Sequence, residues 1–313
     1  MTDIIKKDFD CFNVYSTEGN YSFFHIEIED TEDFYKKLFY YFFDENRLLQ
    51  YAENNFHLKF EKSDKNYATL YKNLRYFIDE KFLLENFDYE VFDETIEKIL
   101  KEEYIIENKV GKNFIRIDKF GKVGEYIFST ILANYFKFDC IIPKIKLTTN
   151  YNMSVFGIDT LFYSSENNIL LFGESKVSKS IQNGIELIKT SLKDYESQIN
   201  NEFLLTLSNR TLNCNPKFLE KFKQHIDTCI NFDEFKNCAN LEAIGIPIFI
   251  AHSSESNDPE YYLNELIKIP KTKFCNLDTY YYSISLPIVN KDKMMAVFTA
   301  EMKIKEDLYK DAR

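Results

Sequence analysis

The segment FGIDTLFYSSENNILLFGESK, residues 156–176, decides how the sequence is read. Two apolar runs flank the turn-forming SSEN, the pattern of a β-hairpin. Asp159, Glu174 and Lys176 stand where core residues are expected. A carboxylate in such surroundings is costly unless it is paired or holds a metal. Successive side chains of a strand alternate faces, so Glu174 and Lys176 share one face and Ser175 takes the other. A hairpin brings Asp159 beside Glu174. Converging carboxylates repel each other unless protonated or bridged by a cation. Mg²⁺ takes oxygen ligands and keeps several waters, so two or three carboxylates on a rigid sheet suit it. The plainer alternative is an ion pair of Lys176 with Asp159 or Glu174.

Upstream, FGKVGEYIFSTILANYF (residues 120–136) predicts a helix. Val123, Ile127, Ile131 and Tyr135 form one stripe and Phe128 and Leu132 a second, so the helix is buried on most sides. Glu125 lies on the Phe128 side and is a further candidate carboxylate. Residues 138–147 predict a strand in which Pro143 marks an edge or a bulge. Downstream, residues 181–199 place Ile181, Ile185, Ile188, Leu192, Tyr195 and Ile199 on one helical face. Gln182, just past the hairpin's second strand, is a candidate supporting residue. Residues 244–252, IGIPIFIAH, predict a buried strand. The order helix, three strands, helix, strand defines an α/β chain with a mixed central sheet.

Residues 1–110 read differently. They hold one glycine, no proline, 14 basic and 25 acidic side chains. A strand is expected at residues 21–28, then a helix starting at the cap Thr31 and running to Glu53, then two further helices. The expected organisation is an acidic, helix-rich N-terminal region (1–110), a core (111–252) and a C-terminal extension packed on the core (253–313). The core boundary falls at NKVGKN, residues 108–113. Residues 111–200 carry 11 basic and 9 acidic side chains and are the positively charged stretch of a chain whose net charge is −11. That balance argues against a general nucleic-acid coat protein.

The six cysteines are scattered without a C-x-x-C, and the histidines form no ligand-like pair, which argues against a zinc site or disulfide framework. There is no P-loop signature. No apolar run is long enough to span a bilayer, and the N-terminus lacks a secretory h-region. A cytoplasmic protein without membrane contact is expected.

The arrangement over roughly residues 115–252 resembles the PD-(D/E)xK, or restriction-endonuclease-like, nuclease superfamily. Asp159 matches its metal-binding aspartate, Glu174-Ser175-Lys176 its acidic-x-lysine tripeptide, and Glu125 the helix glutamate of many members. A narrower resemblance is carried by GKVGEYIFSTIL, FGIDTLFY, LLFGESKVSKSIQNGIELIKTSL and LPIVNKDKMMAVF. These stretches are similar to the HamA family of the Hachiman antiphage defence system. The resemblance implies a Mg²⁺- or Mn²⁺-dependent nuclease acting on DNA beside a superfamily 2 helicase, HamB-like, subunit. In it Asp159, Glu174 and Glu125 hold the ion and Lys176 positions the attacking water. Two rivals stand beside it: a catalytically inactive DNA-binding or regulatory subunit of the same fold, and a stand-alone restriction-type endonuclease.

Overall fold

The computed structural model describes residues 3–9, 12–17, 21–56, 58–74, 120–142, 158–209, 215–254, 258–269, 273–309 and 311. The first of the two further helices is described, as helix, only up to residue 74; its remainder, the second helix, the boundary at 108–113 and Pro143 lie outside these residues. The N-terminal part contributes β1 (Ile5–Phe9), β2 (Phe12–Thr17), β3 (Tyr21–Ile26), α1 (Glu32–Phe42), α2 (Glu45–Phe56) and α3 (Asp64–Leu74). The middle contributes α4 (Phe120–Asn134), β4 (Asp139–Ile142), β5 (Thr160–Ser164), β6 (Ile169–Ser178) and α5 (Ile181–Ser191). A 3₁₀ turn, Leu192–Asp194, leads into α6 (Tyr195–Asn209), followed by α7 (Pro216–Thr228), α8 (Phe232–Cys238) and β7 (Ala243–His252). The chain closes with α9 (Pro259–Leu266), β8 (Lys273–Phe274), β9 (Leu277–Pro287) and α10 (Lys291–Leu308).

The described strands form one mixed sheet in the order β1-β2-β3-β9-β7-β6-β5-β4, with β8 paired to β9. The centre, β3-β9-β7-β6, is parallel, and both flanks are antiparallel. Strand β7 is buried along its whole length, as the continuous apolar run IGIPIFIAH requires of a central parallel strand. The expected order of helix, three strands, helix and strand is present as α4, β4, β5, β6, α5 and β7, with α6, α7 and α8 inserted before β7.

The two faces of the sheet bury separate cores. On one, Phe162, Leu171, Phe249, Ala251, Ile284 and Leu286 meet α4, α1 and α10. On the other, Leu161, Leu170, Phe172, Ile246, Ile248 and Ile250 meet α5, α6, α7 and α8. Helix α5 reaches the sheet at Gly184, where an added Cβ would lie 2.4 Å from Ile250 Cγ2, so only glycine permits this approach.

Three expectations need correction. The N-terminal region is not helical apart from one strand: β1 and β2 extend the sheet beyond β3. The helix expected from Thr31 to Glu53 is two helices. Thr31 does cap α1, accepting from Phe34 N at 3.1 Å. The break follows Phe42, because Asp44 Oδ1 accepts from Asn46 N (2.9 Å) and Arg47 N (3.2 Å) and so starts α2 as a cap. The helix of residues 181–199 is likewise split by the 3₁₀ turn. The three segments drawn from composition share one sheet: β3 and β9 pair directly, and β9 lies between β3 and β7.

Candidate functional site

The hairpin β5–β6 is in register from Ser164↔Ile169 to Thr160↔Gly173. Asp159 lies one residue before β5, anchored by its N–H to Gly173 O at 2.9 Å. Glu174 and Lys176 continue the Leu170–Phe172 row and face α5. Lys176 Nζ donates to Glu174 Oε1 in a close ion pair. Asp159 Oδ2 accepts from Ser175 N at 2.7 Å and from Ser175 Oγ at 2.9 Å. The structure therefore brings Asp159, Glu174 and Lys176 together around one hairpin end.

Glu174 is 4% exposed, whereas the Lys176 side chain is 26% exposed. Burial raises the Glu174 carboxyl above its ordinary value, and the charge of Asp159 raises it further. The charge and hydrogen bond of Lys176, and a hydrogen bond from Ser191 at the end of α5, act in the opposite direction. The rise prevails, so the fold holds Glu174 in an environment that resists its charge even with a lysine beside it. Tyr195 lies beneath, fully buried, its hydroxyl donating to Phe172 O at 2.7 Å. Burial and the charges of Glu174 and Asp159 hold the Tyr195 phenol neutral.

Glu125 is half-buried on α4, which packs through Phe128 onto Phe249 (5.4 Å between rings) on the face opposite α5. Among the described residues, no group of three or more His, Cys, Asp or Glu side chains is arranged to hold a metal ion. The structure thus gathers two of the three expected carboxylates, and Glu125 does not join them in such a group. Gln182 is exposed in the first turn of α5, beyond the cap Ser180, whose Oγ accepts from Asn183 N at 3.2 Å.

Ser175, Ser191 and Lys291 carry no sequence pattern that singles them out. Lys291, at the start of α10, donates to Ser178 O at 3.4 Å and brings a second ammonium to the end of β6. Exposed Lys179 follows immediately. A separate cleft of about 570 Å³ lies at the opposite end of the parallel strands, lined by Asn167, Asn240, Glu242, Tyr280 and Tyr282, and includes none of the hairpin's charged residues.

Two carboxylates, one of them anchored by a serine hydroxyl, and an ammonium on a mixed α/β sheet are a constellation suited to acid–base or cation-assisted chemistry. The chain belongs to the HamA family, whose model matches residues 2–302, and is therefore a HamA-like subunit of the Hachiman antiphage defence system. No curated protein and no solved structure matches it. Among the described residues no helix is long and apolar enough to cross a membrane.

Proposed function

We propose that this HamA-family chain is the nuclease effector of its defence system, a cytoplasmic PD-(D/E)xK enzyme that hydrolyses DNA phosphodiesters with Mg²⁺ or Mn²⁺. The observation that carries the reading is the hairpin end itself, where Asp159 meets the Glu174-Ser175-Lys176 tripeptide. The donor set fits a hard divalent ion held by two carboxylates, since such an ion completes its shell with water and substrate oxygens. Asp159 and Glu174 are the holding residues, and Glu125 on α4 stays outside the pair. Once bound, the ion supplies Lewis acidity and a more acidic water.

The chain's own residues do the rest. With the ion bound, Glu174 would be held as a carboxylate beside Asp159. Lys176, on the same face of β6, would orient the attacking water against the phosphate. Lys179 and Lys291 offer charge to the backbone phosphates, and the exposed Gln182 stands at the rim. The apolar floor under Glu174, with Tyr195 sealed against Phe172, excludes water from below. A superfamily 2 helicase, HamB-like, is the partner that controls access to DNA.

One observation favours a second reading. Lys176 neutralises Glu174 and no three-carboxylate group forms among the described residues, as an inactive DNA-binding or regulatory subunit would allow. Plasmid incubated with the purified chain, with Mg²⁺ or with excess chelator, alone and with the helicase partner, separates the two. Cleavage that needs the metal supports the nuclease; absence of cleavage in every arm supports the regulatory subunit. Cleavage undiminished by chelator overturns the metal assignment.

A further inference from the structure

We infer that Ser175, the middle residue of the acidic-x-lysine tripeptide, is a positioning residue that aims Asp159 at the cation. The inference rests on the metal-dependent reading of this hairpin. Strand β5 begins at Thr160, opposite Gly173, so the N–H of Ser175 lies past the last paired residue of the hairpin. An unpaired strand N–H needs an acceptor. Asp159 Oδ2 supplies it at 2.7 Å, and the same oxygen takes the Ser175 hydroxyl at 2.9 Å.

The consequence is geometric. Two donors on Oδ2, together with the Asp159 N–H held by Gly173 O, fix the carboxylate's position and plane. Among the described residues no hydrogen bond falls on Oδ1. One oxygen is therefore spent on orientation and the other is left for a cation that Glu174 shares. Hydrogen bonds to the outer oxygen of a ligating carboxylate fix its orientation, and their loss typically costs about 10- to 100-fold in metal affinity or activity. Alanine would have kept the backbone bond and the apolar pattern, so the hydroxyl is the part of Ser175 that sequence spacing alone does not require.

The test is Mn²⁺ binding followed by titration calorimetry, with cleavage measured against metal concentration on the same proteins. Wild type should bind Mn²⁺ saturably, and Asp159→Asn should abolish that binding. Ser175→Ala should weaken Mn²⁺ binding about 10-fold and shift half-maximal cleavage to correspondingly higher metal concentration, while the rate at saturating metal stays near wild type. Ser175→Thr, which keeps the hydroxyl, should retain affinity within about threefold, and its isostere Ser175→Val should behave as alanine does. The Thr/Val pair decides the matter should alanine lower the melting temperature, since the two differ by the hydroxyl alone. Equal Mn²⁺ affinity in wild type, Ser175→Ala and Ser175→Val overturns the role of Ser175 while leaving the metal site intact. Failure of wild type to bind Mn²⁺, or binding that survives Asp159→Asn, overturns the metal site and the role of Ser175 with it.

Discussion

Two polar clusters sit on the α5 face of the same sheet, and the protein treats them in opposite ways. At the hairpin end, Asp159, Glu174 and Lys176 are charged side chains, and Lys176 still reaches solvent. At the middle of the sheet, His25 of β3, His252 of β7 and Ser285 of β9 are fully buried. There Ser285 Oγ lies 2.9 Å from His252 Nε2 and 3.4 Å from His25 Nδ1, and Tyr262 of α9 packs on both imidazoles at 4.8 Å. Burial lowers both histidines to about 3, so this cluster is neutral at physiological pH and serves as a clasp between three parallel strands. At the hairpin the Lys176 side chain reaches water while Glu174 is buried beside it. The clasp gives up charge to be buried. The contrast separates a place suited to chemistry from a place suited to cohesion, although both began as polar residues inside apolar strands.

The largest effect expected is on activity. Glu174→Ala and Lys176→Ala should each reduce metal-dependent DNA cleavage by at least about 100-fold. Only Glu174→Ala should weaken metal binding, because the proposed role of Lys176 is on water and phosphate rather than on the ion. His252→Gln should leave cleavage at neutral pH within about twofold of wild type. A Lys176→Met variant with full cleavage would erase the distinction between the two clusters.

Next comes acid lability. The unfolded histidines take up a proton near pH 6.5, the folded ones near 3, so the unfolded state binds more protons as pH falls. Stability is lost from pH 6.5 downward until about pH 3, at about 1.4 kcal/mol per pH unit for each histidine. At pH 5 each should cost about 2 kcal/mol, and His252→Gln should lose about half as much stability as wild type between pH 7 and 5. Urea midpoints across that range measure it. Equal slopes would show that His252 charges without penalty in the folded state.

A smaller effect is expected at Gly184. In the β6–β7 register Lys176 is opposite Ile250 and Ser178 opposite His252, so the α5 contact at Ile250 lies between the clusters. Gly184→Ala forces a Cβ against Ile250 and should destabilise by about 1–2 kcal/mol after the helix-propensity gain of about 1 kcal/mol is subtracted. An unchanged melting temperature would mean that α5 can lift without consequence.

The smallest effect has the opposite sign. Glu174 is held with its carboxyl raised above the ordinary 4.5, so the folded state binds its proton more tightly than the unfolded state. The stability this contributes is present below pH 4.5 and is lost as pH rises through the raised value. Glu174→Gln should therefore raise the melting temperature slightly at pH 7, and the gain should vanish in acid. A lower melting temperature at pH 7 would make Glu174–Lys176 a stabilising ion pair.

How much of this was legible in the sequence follows from period and composition. The hairpin, β7 and α4 are legible because their apolar runs match a strand or helix period and end at clear turn residues. Asp159, Glu174 and Lys176 stand out because charge interrupts those runs. Strand β9, LDTYYYSISLP, falls inside the expected C-terminal extension, because its buried serines and half-buried tyrosines blur the alternation. Its depth comes from neighbours β3 and β7, which are far away in sequence. The break after Phe42 was hidden because Phe43 is as apolar as the helix around it, while Asp44 acts through its side chain. The partners of Ser175 and Ser191 were not legible at all: serine is common in turns and surfaces, and only the fold shows which carboxylate each meets.

The most direct test of the metal assignment is anomalous scattering from crystals grown or soaked with Mn²⁺. The expected result is an anomalous peak between Asp159 Oδ1 and the Glu174 carboxylate, with Lys176 withdrawn from Glu174 and Ser175 still bonded to Asp159 Oδ2. An intact Lys176–Glu174 pair with no manganese at the hairpin, at concentrations that support DNA cleavage, would contradict it.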